Sequence, residues 1–219
     1  MGKEKRRVHR MDGHSAAARR LADRLNLLPI AVFCLWLAAF ALFWGQAHGP
    51  LRSFDTPPPG MAAWPWFAAS ILGAALVLAL PEGFYRLRGF ERSGRLHEAL
   101  GAKAFRAFVT NGDHINRIVT RRYRDYRVYP HGEVVAAAAR TARQSERSHL
   151  VCLIAGLVAC FYAALIGWWG WAGAMLVANV LGNLYPVLVQ RHTRARLRPL
   201  EERDARRQAA TRSQEGRWR

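Results

Sequence analysis

Four apolar runs, Leu27 to Gly45, Ala62 to Tyr85, His149 to Ile166 and Trp171 to Gln190, constrain this chain more than any other feature. Crossing ~30 Å of hydrocarbon takes about 20 helical residues. An open strand cannot enter lipid, because its backbone N–H and C=O groups would go unpaired. The expectation is an all-α integral membrane protein with four transmembrane helices and a helical cytoplasmic segment between the second and third. Residues 1–26 are read as a basic cytoplasmic tail with an interfacial helix and 27–196 as the membrane domain. Residues 86–148 are the cytoplasmic segment within that domain, and 197–219 form a second basic tail.

Charge is segregated from these runs. Of the 33 Lys and Arg residues, 8 precede the first run, 14 lie between the second and third, 10 follow the fourth, and Arg52 alone lies elsewhere. Basic residues accumulate on the cytoplasmic side of membrane proteins, so both termini are expected there, in a multi-pass protein of the bacterial cell (inner) membrane. Trp44, Trp64, Trp66, Trp168, Trp169 and Trp171 all fall at the opposite interface, as an aromatic belt would. A pI near 11.3 also suits nucleic acid, but topology and anionic lipid headgroups account for the arginines. Membrane lipids are expected partners and nucleic acid is not. Cys34, Cys152 and Cys160 all lie inside spans, without metal-ligand spacing. The first run is too long for a signal core, so Gly45-Gln46-Ala47 is read as part of an uncleaved anchor.

Local signals refine this outline. Ser15 is a candidate N-cap for the interfacial helix. Pro50 and Pro57-Pro58-Pro59-Gly60 predict an irregular outer loop. Pro81 is expected to kink the second span, with Glu82 facing Arg86 at i+4. Leu96, Leu100, Phe105 and Phe108 suggest an amphipathic helix from Leu96 to Phe108. Asn111-Gly112-Asp113 predicts a turn before a short helix. Glu133 to Ser148 carries no helix breaker and should run into the third span. Small residues Cys152, Gly156, Cys160, Ala163 and Gly167 continue the face of His149, either as close packing or as a slot for an acyl chain. Asn179, Asn183 and Gln190 share a face of the fourth span, with Pro186 interrupting its backbone.

Chemistry concentrates at Glu146-Arg147-Ser148-His149. Glu146 and His149 lie on one helix face at a membrane boundary, where ionisable groups are costly and usually functional. An imidazole held by a carboxylate suits general-base catalysis at neutral pH. His149 is read as the base and Glu146 as its orienting partner. Asn183, Tyr185 and Gln190 are candidate oxyanion donors, and Arg86, Arg117, Arg191 and Arg194 are candidates for phosphate groups. The chain has no Gly-x-Ser-x-Gly elbow, no His with Asp five residues on, and no Walker loop. Its single Glu-x-x-His motif is too little for a di-iron bundle.

Phe84-Tyr85-Arg86 with Phe90-Glu91-Arg92, Asn111-Gly112-Asp113 with Asn116-Arg117, Glu146-x-x-His149, and Asn183 to Arg196 with Tyr185-Pro186, Gln190-Arg191 and Arg194 together resemble the glycosyl-diaponeurosporenoate acyltransferases. The resemblance spans roughly Glu82 to Arg196. It implies transfer of a fatty acyl group, from an acyl-CoA co-substrate and without a further cofactor, onto a sugar hydroxyl of a glycosylated carotenoid or similar glycolipid. It also implies a substrate site drawn from Glu82, Tyr85, Arg86, Asn111, Asp113, Asn116, Arg117, Asn183, Tyr185, Gln190, Arg191 and Arg194, around catalytic Glu146 and His149. A non-catalytic scaffold that binds anionic lipid, and a lipid-modifying enzyme of another reaction type, are the alternatives.

Overall fold

The computed structural model describes residues 2–48, 61–109, 112–124 and 134–217. Every regular element among them is helical. Helix α1 (Gly2–His48) is one rod that runs through Ser15 and Pro29. The expected interfacial helix and first span are thus one element, and Ser15 does not start a new helix. The proline-rich outer loop lies outside the described residues.

Helix α2 (Ala63–Ala79) stops earlier than its hydropathy suggests. A proline disfavours helical geometry in the residue before it, and Leu80 is extended at φ −61°, ψ 137°. Pro81 therefore ends the helix instead of kinking it. The 17 residues of α2 rise ~26 Å. The described helices long and apolar enough to cross a membrane number three, at Ala16–His48, Val135–Leu165 and Trp169–Arg203, with α2 as a shorter apolar fourth. After α2 the chain folds back in tight turns, in which the N–H groups of Phe84, Tyr85 and Arg86 donate to the carbonyls of Pro81, Glu82 and Gly83.

The stretch expected as one helix from Leu96 to Phe108 is two short ones, α3 (Arg95–Ala99) and α4 (Ala102–Phe105). Gly101 separates them at φ 83°, a left-handed conformation that glycine adopts without steric cost. Helix α5 (Asp113–Arg122) follows. Ile115 and Val119 pack it against Ala18 and Ala22 in the first half of α1.

Helix α6 (Val134–Leu165) is unbroken, as its alanine-rich first half predicts. Helix α7 (Trp169–Asn179), a π-helical turn (Val180–Leu184) and α8 (Tyr185–Arg217) form a second long rod. Pro186 accounts for the turn. It has no N–H for the Gly182 carbonyl one turn back, and a widened turn absorbs the mismatch without breaking the helix.

Helix α6 is the hub, packed on α2, α7 and α8. At one end Phe43, Trp44, Tyr162, Trp168 and Met175 form an aromatic core, with Trp66 and Trp171 packed on it. Four of the belt tryptophans therefore also serve the interior. Ala159 and Ala163, both fully buried, bring the helices close there.

Candidate functional site

Two polar networks join α6 to the α7–α8 rod. Glu146, on the last turns of α6 before the apolar run, is completely buried (0% exposed). Its Oε1 accepts from Arg191 Nε at 2.8 Å, and its Oε2 accepts from Arg194 Nη1. Arg194 Nη2 also donates to the Tyr85 carbonyl at 2.7 Å. Arg191 Nη1 donates to Glu91, whose other oxygen accepts the Arg88 backbone N–H at 2.8 Å. Two carboxylates and two guanidinium groups thus neutralise each other between α6, α8 and the turn at residues 88–91. Buried charges persist only with such partners.

Two histidines extend this cluster. His97 Nε2 lies 3.7 Å from Glu91, and His192 Nε2 lies 3.2 Å from Glu98. Both rings are buried, and the Nδ1 of each lacks a hydrogen-bond partner. Burial pushes His97 below its usual value, against the opposing pull of Glu91. Burial also works against the Glu91 carboxylate, but the Arg88 N–H and the Arg191 guanidinium outweigh it and hold Glu91 below the usual carboxylate range. The hydrogen bond from His192 likewise lowers Glu98.

The second network begins at half-buried His149, whose Nδ1 lies 3.3 Å from Asn183 Oδ1. Asn183 Nδ2 donates to Asn179 Oδ1 at 2.7 Å, and Asn179 Nδ2 donates to the Leu153 carbonyl at 2.9 Å. A carbonyl can only accept, so it sets the direction of the whole chain. Asn179 must turn its amide nitrogen to Leu153 and its oxygen to Asn183, and Asn183 must then turn its oxygen to the imidazole. His149 Nδ1 therefore carries a proton, and in the neutral ring Nε2 is the basic nitrogen. The Gly182 backbone is a further partner of the ring, and Gly182 is the carbonyl that Pro186 leaves without its helical donor. Phe33 of α1 meets the ring edge-on, with centroids 5.6 Å apart.

Glu146 and His149 share a face of α6, as their spacing predicts. They do not form the expected dyad. Both Glu146 oxygens are taken by Arg191 and Arg194, whereas His149 is oriented by Asn183. The small-residue slot is also closed. The Asn179 amide fills the space over Gly156, and Ala163 is fully buried in the aromatic core.

The remaining sequence candidates separate into structural and open positions. Glu82 pairs with Arg147 at 2.5 Å and Arg143 at 3.5 Å, not with Arg86, because residues 81–86 are turns. Tyr85 is fully buried. Its hydroxyl donates to the Val77 carbonyl at 2.5 Å, and the Arg147 guanidinium lies 4.4 Å from its ring centroid. Asp113 holds Arg106 at 2.8 Å. Tyr185 stacks on Phe105 at 4.8 Å. Asn183 donates from its amide nitrogen to Asn179 Oδ1 and turns its oxygen to His149. Arg86 and Arg117 are exposed, and Asn116 and Gln190 are half-buried. Asn111 lies outside the described residues. Sequence reasoning passed over Glu91, His97 and Asn179 as site residues. The Phe90-Glu91-Arg92 motif and the polar face of the fourth span were available signals for two of them. Nothing marked His97.

A cleft of about 320 Å³ opens beside the charged cluster. Its lining is apolar at Phe84, Phe90, Leu96, Leu150, Val187 and Leu188 and polar at Arg88, Glu91, His97 and Arg191. Leu150 directly follows His149.

Apolar helices of spanning length with an ionised cluster and an oriented imidazole between them define a multi-helix membrane protein with a polar site in its bundle. The family follows from the sequence match. Residues 81–203 match the family model for glycosyl-4,4'-diaponeurosporenoate acyltransferase. That is more than half of the chain and contains both networks, so the chain belongs to this family and is an acyltransferase of carotenoid biosynthesis. Comparison with curated proteins and with solved structures gave no match.

Proposed function

We propose that the protein transfers a fatty acyl group from a coenzyme A thioester to a sugar hydroxyl of a glycosylated carotenoid, with His149 as general base. The observation that carries this reading is the one-directional chain from the Leu153 carbonyl through Asn179 and Asn183 to His149 Nδ1. It leaves Nε2 as the nitrogen that accepts a proton, and the Asn183 oxygen at Nδ1 favours the imidazolium that results. The sugar oxygen attacks the thioester carbonyl carbon while His149 takes its proton. Collapse of the tetrahedral intermediate breaks the C–S bond, and the proton passes to the departing thiolate.

The apolar cleft next to Leu150 suits an acyl chain. Exposed Arg86 and Arg117 are the candidates for the donor's phosphates, because Arg191 and Arg194 are neutralised by Glu146 and Glu91. The glycosylated carotenoid enters laterally from the leaflet at this end of the bundle. The reading also places the protein in the cell membrane with both termini in the cytoplasm, which the basic residues flanking the spans support.

The test is ester formation by purified protein supplied with acyl-CoA and a glycosylated carotenoid, followed by mass spectrometry. His149→Ala should fold normally and turn over 10²- to 10⁴-fold more slowly. Full activity of folded His149→Ala would overturn the assignment of the base.

A further inference from the structure

A second cleft, of about 690 Å³, lies between α1 and α5, apart from the site above. Arg20 and Arg24, one turn apart on α1, and Arg121 and Arg122, at the end of α5, line it over an apolar floor that includes Leu21 and Ile118. Among the described residues, no Asp or Glu lines it and none of the four arginines pairs with a carboxylate. Four guanidinium groups gathered from two helices, without counter-charge among the described residues, favour a ligand that carries phosphate.

The register of α1 shows what continues from that phosphate. Because α1 is a single helix, residues at intervals of seven return to nearly the same side. Leu28, Leu35 and Leu42 follow Leu21 at that interval, and all three are exposed, Leu28 by 74% and Leu35 by 69%. Leu28 stands ~6 Å and Leu35 ~16 Å along the axis from Arg24, at 1.5 Å per residue. Half of a ~30 Å hydrocarbon core is about 15 Å. The arginine groove therefore sits at headgroup depth when the leucine stripe lies in the acyl region of the same leaflet. One molecule meets both features, with phosphate at one end and hydrocarbon along the other.

We propose that the α1–α5 groove is a binding site for an anionic phospholipid, its phosphate held by Arg20, Arg24, Arg121 and Arg122 and one acyl chain laid along Leu28 and Leu35. Basic pockets of this kind beside membrane helices bind acidic headgroups. The bound lipid bridges two helices that also pack on each other through Ala18, Ala22, Ile115 and Val119.

The test uses full-length protein in detergent, with phosphatidylglycerol, phosphatidylcholine and soluble adenosine 3',5'-bisphosphate as probes, read by native mass spectrometry. Wild type should retain phosphatidylglycerol over phosphatidylcholine. At about fivefold per arginine near an anionic surface, Arg20→Gln with Arg24→Gln, or Arg121→Gln with Arg122→Gln, should each weaken retention roughly thirtyfold. Arg95→Gln with Arg196→Gln removes the same charge from exposed sites elsewhere and should change little. All four groove arginines are exposed, and pairs on two helices read one groove, so loss of fold in one pair leaves the other as the test. Equal retention of both lipids, or an equal effect of the control pair, overturns the proposal. Displacement of lipid by the soluble bisphosphate would assign the groove to a soluble phosphate compound instead. None of these outcomes depends on acyl transfer, so the groove stands or falls separately from the catalytic reading.

Discussion

The side chain of Asn179 occupies the space that a side chain on Gly156 would need: a Cβ built there falls 2.7 Å from the Asn179 amide. The amide cannot swing away freely, because it is tied to the Leu153 carbonyl and to Asn183. Gly156→Ala should therefore break the chain that orients His149. Its effect on stability sets a helix-propensity gain of about 0.5–1 kcal/mol against an overpacking cost of about 1–3 kcal/mol, a net loss. Acyl transfer should fall with it. Combining Gly156→Ala with Asn179→Ala relieves the clash, so the double variant should regain thermal stability while remaining slow. Parallel recovery of activity would show that Asn179 is dispensable for orienting the base.

Glu146 and His149 should respond oppositely to substitution. Glu146→Gln leaves Arg194 buried at 7% exposure with no carboxylate, and breaking a buried pair in this way costs about 3–5 kcal/mol. Little folded protein should survive size-exclusion chromatography after mild heating. His149→Ala removes a half-buried ring from the edge of its network and should leave the folded yield near wild type while turnover collapses. Equal yields for the two variants would show that the Glu146 cluster is not the clasp its geometry indicates.

Much of the fold was legible because its rules are local. Hydropathy located the apolar helices, the breaker-free stretch before Ser148 gave an unbroken α6, and i,i+3 spacing put Glu146 and His149 on one face. The site was legible as a neighbourhood and misread in its pairings. Nothing in the sequence says that Arg191 and Arg194, one turn apart on α8, reach Glu146 from 45 and 48 positions away. Side-chain partners across helices depend on rotation and register, which periodicity leaves undetermined. Pro186 interrupts its helix as expected, whereas Pro81 was misread as a kink, for a related reason. Pro81 and Pro186 carry the same backbone restriction, yet one ends α2 where a turn is available, and the other is absorbed by a π turn within a rod held by α6.

Orientation can be checked independently of activity. With Cys34, Cys152 and Cys160 replaced, single cysteines placed at Ser53 and at Ala136 should differ in labelling by an impermeant reagent on intact cells. The position at 53 should label, and the position at 136, near the basic start of α6, should label only after permeabilisation. The reverse pattern would invert the protein and place its basic segments outside.

The cluster around Glu91 and His97 should make the fold acid-sensitive, in two steps of the same sign. Burial depresses His97 below its usual 6.5, so the folded state binds fewer protons than the unfolded chain once pH drops to that range. Stability then falls with pH from about 6.5 downward, through the lower folded value. Glu91, depressed below 4.5, adds stability that is present above 4.5 and is lost as pH falls through its own folded value. The first step belongs to His97, with Glu91, Arg191, His192 and Glu146 as the charged and titratable groups around it. His97→Gln keeps a donor toward Glu91 but cannot take up a proton. Thermal midpoints of detergent-solubilised protein from pH 5 to 8 should fall steeply below pH 6.5 in wild type and more gently in His97→Gln, with the two curves converging above pH 7. His192→Gln serves as the comparator, since it removes a neighbouring imidazole that bonds exposed Glu98 instead of the buried pair. Parallel curves for wild type and His97→Gln would remove His97 as the acid-sensitive group and leave the charged cluster without a titrating trigger near neutral pH.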